Sequence, residues 1–213
     1  MATPKERLCH LLELAAQGPE QRAALAGEVA DMLLDWPAQY PLAMRATFEA
    51  LLEKIAREMD FDARAELAAR FDGRTDARLA LLNELFLASS ATMQDDILRR
   101  NDAHAAGVLA TIDGAMLVSA ARKRGDFPAA LARAARLSRA MAGEIMRDAS
   151  GRALAVVAKG GGLERPLHSA ICILVLPAPN IFAALTMFDR VPQNGAAHLL
   201  SAWRIRLDAS LAA

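Results

Sequence analysis

Residues 76–88 read DARLALLNELFLA, a stretch that is apolar on nearly every side when it is drawn as a helix. A helix without a polar face is stable only where other elements cover it. We therefore predict that 76–88 forms a helix inside the core, with Leu82 and Leu85 deeply buried.

The composition of the whole chain extends this prediction to an all-α fold. The 213 residues include 48 Ala and 31 Leu, whereas Val, Ile and Thr together number 21. Because β-branched residues favour strands, this composition disfavours a sandwich, a barrel or an extended parallel sheet. Short helices joined by turns predict antiparallel helix pairs, stacked as a HEAT-like or helical-bundle array.

A weak internal repeat supports the array. RAALA at 22–26 and RAELA at 64–68 agree at four of five positions and lie 42 residues apart, near the length of a HEAT-type repeat. We expect a single all-α domain over 1–213, divisible into a helical-repeat-like part, 1–100, and a C-terminal helical part, 101–213.

Capping and stop residues predict where the helices begin and end. Asp60 and Asp62 look like a helix-start pair for the helix near 62–71. The helix that carries Met93, Ile97 and Leu98 has three candidate caps, Ser89, Ser90 and Thr92. The glycines after Lys159 fit a helix stop better than a phosphate-binding loop, because no lysine-serine pair follows them. Further helices are predicted near 103–123, 127–147, 150–160, 166–176, 180–190 and 194–211.

The run 166–188 contains no charged residue and is long enough to cross a bilayer as one helix. Pro177, Pro179 and Asn180 interrupt it, and proline lacks the amide donor that a helix interior needs. The pattern therefore predicts two buried helices that meet at a tight turn, and no membrane span.

Motifs of common enzymes are absent from the sequence. We find no serine elbow, no paired histidines one helical turn apart and no calcium-loop spacing, so we expect no enzymatic activity, no cofactor and no metal site. His168 and Cys172 share one helix face, yet a complete metal site needs further ligands. Two distant cysteines and the absence of a leader predict a cytoplasmic protein.

The net charge of zero conceals an uneven distribution. It is −7 over 1–98, +5 over 99–147 and +2 over 148–213. This polarity favours an acidic protein partner or head-to-tail association of copies, for instance as a homodimer. No aromatic residues interleave with the basic group, so nucleic-acid binding is not expected. The predicted partner-binding residues are Arg122, Lys123, Arg124, Arg133, Arg136 and Arg139.

These observations favour a non-enzymatic scaffold or adaptor that binds another protein. Two alternatives stay open. A histidine, with His168 or His10 as the candidates, would accept a phosphoryl group in a signalling reaction. Alternatively, a small ligand or lipid would lie between the apolar helices of 166–190, oriented by His168 and Asn180.

Several segments together resemble a known family. They are DARAELAARF at 62–71, DARLALLNELFLASSATMQDDIL at 76–98, DASGRALAVVAKGGGL at 148–163 and AAHLLSAWR at 196–204. They are similar to the mainly alphaproteobacterial family of domain of unknown function 2336, from which the chain departs between about 99 and 147. The resemblance implies a HEAT-like helical architecture in a cytosolic bacterial protein, and it carries no catalytic residues.

Overall fold

The computed structural model describes residues 19–103, 111–123 and 126–211, with side chains from 21 to 204 within those ranges. Within them the chain forms twelve α-helices and one short 3₁₀ helix, with no strand, which confirms the all-α prediction. It folds as two compact units, 1–94 and 95–213. The unit boundary and the boundary expected at residue 100 both fall within one helix, Ala91–Asp102.

The helices are α1 (Pro19–Leu34), α2 (Leu42–Glu58), α3 (Phe61–Phe71), α4 (Leu79–Leu85), the 3₁₀ helix Phe86–Ala88, α5 (Ala91–Asp102), α6 (Gly114–Arg122), α7 (Phe127–Ala135), α8 (Arg139–Arg147), α9 (Arg152–Gly160), α10 (Arg165–Val175), α11 (Ala178–Arg190) and α12 (Gln193–Leu211). None of them combines the length and apolar character needed to cross a bilayer, within the described residues.

The first unit is built around α4, which packs against α2 and α3. The prediction of a buried apolar stretch is confirmed, because Leu82 is 1% exposed and Leu85 is not exposed at all. The helix is shorter than predicted, since Arg78 is extended and the last turn tightens into the 3₁₀ helix. There the carbonyl of Phe86 accepts two hydrogen bonds, one from the backbone amide of Ser89 and one from Gln94 Nε2.

Side-chain caps hold two helix starts of this unit, and in each case the cap is one of the predicted candidates, Asp60 and Ser90. The Asp60 carboxylate accepts from the amide of Ala63 at 2.8 Å, and the Ser90 hydroxyl accepts from the amide of Met93 at 3.2 Å. These bonds satisfy amides that have no partner within the helix.

The second unit is built around α9, which packs against α8, α11 and α12. All of α9 except Lys159 is buried. Its neighbours approach closely because small residues line it: a Cβ added at Gly160 would lie 2.5 Å from the carbonyl oxygen of Ala196.

The predicted long helices 103–123 and 127–147 are wrong. Residues 111–113 are not helical, and Asp113 caps α6 by accepting from the amide of Met116. The second stretch breaks at Arg136, whose φ of 53° is left-handed, and Ser138 caps α8. The left-handed Arg136 lets two amides reach back to the end of α7: the amide of Arg136 donates to the carbonyl of Arg133, and the amide of the buried Leu137 donates to that of Ala132.

The uncharged run 166–188 forms two helices joined at Pro177, as predicted. The prediction that the hairpin is buried is only partly right. Its base is buried, but its end is apolar and open to solvent: Ile173 is 62% exposed and Phe182 is 80% exposed.

Candidate functional site

The turn between α7 and α8 forms an open groove of about 640 Å³. Asp126 caps α7 through the amide of Ala129, and the left-handed Arg136 ends it. Ser138 then starts α8. The residues that line the groove are Ala129, Ala132, Arg133, Arg136, Leu137 and Arg139.

Three arginines of the predicted basic group meet in this groove. Arg133, Arg136 and Arg139 are all exposed. Arg139 forms an ion pair with Asp126. Neither Arg133 nor Arg136 lies within 4.0 Å of a carboxylate oxygen in the described part of the chain, so their guanidinium groups are available to an external anion.

Arg204 of α12 adds a fourth guanidinium beside the groove. Its Nε donates to the carbonyl oxygen of Ala135 at 2.7 Å, which satisfies one of the last carbonyls of α7. Burial, together with the nearby charge of Arg136, lowers the pKa of Arg204 below its usual value. Sequence reasoning missed Arg204 as a site residue, because it lies far along the chain from the other three.

The rest of the predicted basic group lies outside the groove. Arg122 and Lys123 are exposed at the end of α6 and do not line it. Arg124 lies outside the described residues. The structure therefore brings together three of the six predicted partner-binding residues.

His168 occupies the interface between α10 and α11. Its side chain is fully buried, its ring stacks on Phe188 with centroids 4.5 Å apart, and its Nε2 lies 3.4 Å from the carbonyl oxygen of Ala184. Burial lowers the pKa of His168 to about 4, so the ring is neutral at pH 7.

This burial does not favour either role expected of His168. The imidazole packs between α10 and α11 with no exposed surface, whereas orienting a ligand or accepting a phosphoryl group requires an accessible ring nitrogen. Asn180 is half-buried near the start of α11. His10, the other phosphotransfer candidate, lies outside the described residues.

Cys172 stands one turn from His168, with its Sγ 3.4 Å from Nε2. Burial raises the pKa of the Cys172 thiol to about 11, which disfavours the thiolate that metals bind. Over the described ranges, no group of three or more His, Cys, Asp or Glu side chains is arranged to hold a metal ion.

Comparison with known proteins adds no relative. No family model matches the chain, and neither a curated protein nor a solved structure matches it. The resemblance to the family of domain of unknown function 2336 stays a prediction.

Proposed function

We propose that this chain is a non-enzymatic helical scaffold that binds an acidic segment of a protein partner in the groove between α7 and α8. The observation that carries the proposal is the convergence of Arg133, Arg136 and Arg139 on one open surface, where, among the described residues, Asp126 is the one carboxylate in an ion pair with them, and it pairs with Arg139. Guanidinium groups bind carboxylates with two parallel hydrogen bonds, which suits an aspartate- or glutamate-rich peptide.

The floor of the groove favours a peptide over a free anion. Ala129, Ala132 and Leu137 supply apolar surface between the arginines. An occupant with one apolar side chain among its acidic residues would bury this surface while its carboxylates pair at the rim. Among the described residues that line the groove there is no aromatic ring on which a nucleotide base would stack.

A HEAT-like array of helix pairs belongs to the proposal, because such an array presents one extended face to a partner. The resemblance to the family of domain of unknown function 2336 supports this architecture. A cytoplasmic location and self-association belong to the proposal as well.

The test is fluorescence anisotropy with a labelled peptide of alternating glutamate and leucine, and a lysine-leucine peptide as its control. We expect wild-type protein to bind the acidic peptide more weakly as salt rises, because salt screens exposed charges. Arg133→Glu/Arg136→Glu should bind about fourfold to several hundredfold more weakly, since two attractions of about 0.2–1 kcal/mol each become repulsions of similar size.

The matched control is Arg122→Glu/Lys123→Glu, which changes the net charge equally but lies outside the groove. This variant should retain most of the affinity. Equal losses in both variants would show that binding responds to overall charge only, and would contradict the proposal.

A further inference from the structure

We infer that the acidic segment that fits the groove is helix α1 of a second copy of this chain. The inference rests on the proposed function, because it names the partner of the same groove. It starts from the charges of the two units: residues 1–94 carry 15 acidic and 10 basic side chains, and residues 95–213 carry 10 acidic and 15 basic. The net charges are equal and opposite, so the first unit of one copy attracts the second unit of another.

Helix α1 presents the acidic surface that this attraction needs. Exposed residues recur every three or four positions along α1 and at the residue directly after it, and they form one stripe, which we call the α1 stripe: Gln21, Ala24, Glu28, Asp31 and, just past the end of the helix, Asp35. Residues at this spacing share one helix face. Because the rise is about 1.5 Å per residue, the three carboxylates extend over roughly 10 Å along the axis.

Two of the three carboxylates are available to an external cation. Asp31 pairs with Arg70 of α3, and its side chain is still 65% exposed. Glu28 and Asp35 have no ion-pair partner in the described part of the chain. The α1 stripe therefore offers carboxylates to a surface that offers guanidinium groups, as Arg133 and Arg136 do.

The stripe is also held in place before any partner arrives. On the opposite face of α1, Leu25, Val29 and Leu33 are buried, and the helix packs against α2 and α3. Docking a fixed helix costs less conformational entropy than ordering a flexible peptide. The exposed Ala24 allows close approach to the alanine floor of the groove.

Each copy has one stripe and one groove, so both surfaces can be reversed separately. The measurement is sedimentation velocity over a range of protein concentrations, at low and high salt. We expect wild-type protein to self-associate reversibly and to dissociate at high salt. Glu28→Arg/Asp35→Arg and Arg133→Glu/Arg136→Glu should each weaken self-association at least tenfold.

The decisive variant combines all four substitutions, which restores the net charge of the wild type and exchanges the signs of stripe and groove. It should self-associate again. The matched control, Glu28→Arg/Asp35→Arg/Arg122→Glu/Lys123→Glu, has the same net charge but an unchanged groove, and it should stay monomeric. Circular dichroism checks that every variant is folded.

Two results would overturn the inference. One is a wild-type protein that stays monomeric at every concentration while the acidic peptide still binds the groove, in which case the acidic-peptide site of the proposed function survives and self-association does not. The other is self-association that persists in both double variants, which would place the contact elsewhere, for example at the apolar end of the α10–α11 hairpin. Failure of the peptide to bind would contradict the proposed function itself.

Discussion

Helices α4 and α9 are the buried centres of their units, and they fill their surroundings in opposite ways. In α4 the buried residues are mainly leucines, and the fit depends on large side chains. In α9 they are mainly alanine, valine and glycine, and neighbouring backbones come close enough that Gly160 has no room for a Cβ. We therefore expect the free energy of unfolding to fall when buried side chains of α4 are shortened, and when side chains of α9 are enlarged.

The largest expected effect is truncation in α4. Leu82→Ala and Leu85→Ala should each lower the free energy of unfolding by about 2–5 kcal/mol, because the cavity left behind is only partly refilled. Urea unfolding monitored by circular dichroism measures the loss. Leu42→Ala is the control: this leucine is 78% exposed, and its substitution should cost less than about 0.5 kcal/mol. A loss below about 1 kcal/mol at Leu82 would show that α4 is not the centre of its core.

A second effect comes from His168 on α10, the helix that follows α9 in the chain. Burial depresses its folded pKa from 6.5 to about 4, so between these values only the unfolded chain takes up the proton. Stability should therefore fall as pH drops from about 6.5 to about 4, by an amount on the order of 3 kcal/mol, and should not depend on this group below that window. Arg165 and Asp189 are the charged groups that act on it.

The measurement is urea unfolding of wild type and His168→Gln at several pH values across that window. The variant should lose this part of the pH dependence, whatever its stability at pH 7. An identical slope in both proteins would mean that His168 is hydrated or charged in the fold.

The third effect is a difference in sign between two glycine-to-alanine substitutions, one of which should lower the free energy of unfolding and the other raise it. Gly160→Ala should lower the free energy of unfolding by about 1–3 kcal/mol. The new Cβ would lie 2.5 Å from the carbonyl oxygen of Ala196, and relieving this overlap forces the helices apart. Gly143→Ala in α8 should stabilise by about 0.5–1 kcal/mol, since its Cβ would meet only the Arg147 guanidinium at 3.9 Å and alanine is the better helix former. Thermal or urea unfolding of the pair gives the signs. Stabilisation by both would refute the close packing of α9.

The smallest effect concerns the end of the α10–α11 hairpin. Phe182 is 80% exposed, so Phe182→Ser should change the free energy of unfolding by less than about 0.5 kcal/mol. A loss above about 2 kcal/mol in urea unfolding would show that this ring is covered in solution.

The same pair of helices shows what could be predicted from the sequence. The apolar pattern of 76–88 was sufficient to predict that its leucines are buried. In α9, periodicity predicted a helix, but the close approach at Gly160 depends on Ala196, which is distant in sequence. A local pattern carries no information about which backbone lies opposite.

The site was predicted in part for a similar reason. The charge pattern singled out Arg133, Arg136 and Arg139, but it grouped them with Arg122, Lys123 and Arg124. The turn that gathers the first three depends on a left-handed conformation at Arg136, which is uncommon for a residue other than glycine. Arg204 joins them only through the packing of α12, where its Nε reaches the carbonyl of Ala135.

The most direct test of the account is to map acidic-peptide binding on the isotope-labelled protein by amide chemical shifts. We predict salt-sensitive shifts centred on 126–139 and at Arg204, absent in Arg133→Glu/Arg136→Glu and retained in Arg122→Glu/Lys123→Glu. Shifts centred at the end of α6 or on the α10–α11 hairpin, or no shifts at any peptide concentration, would contradict the assignment of the groove as the binding site.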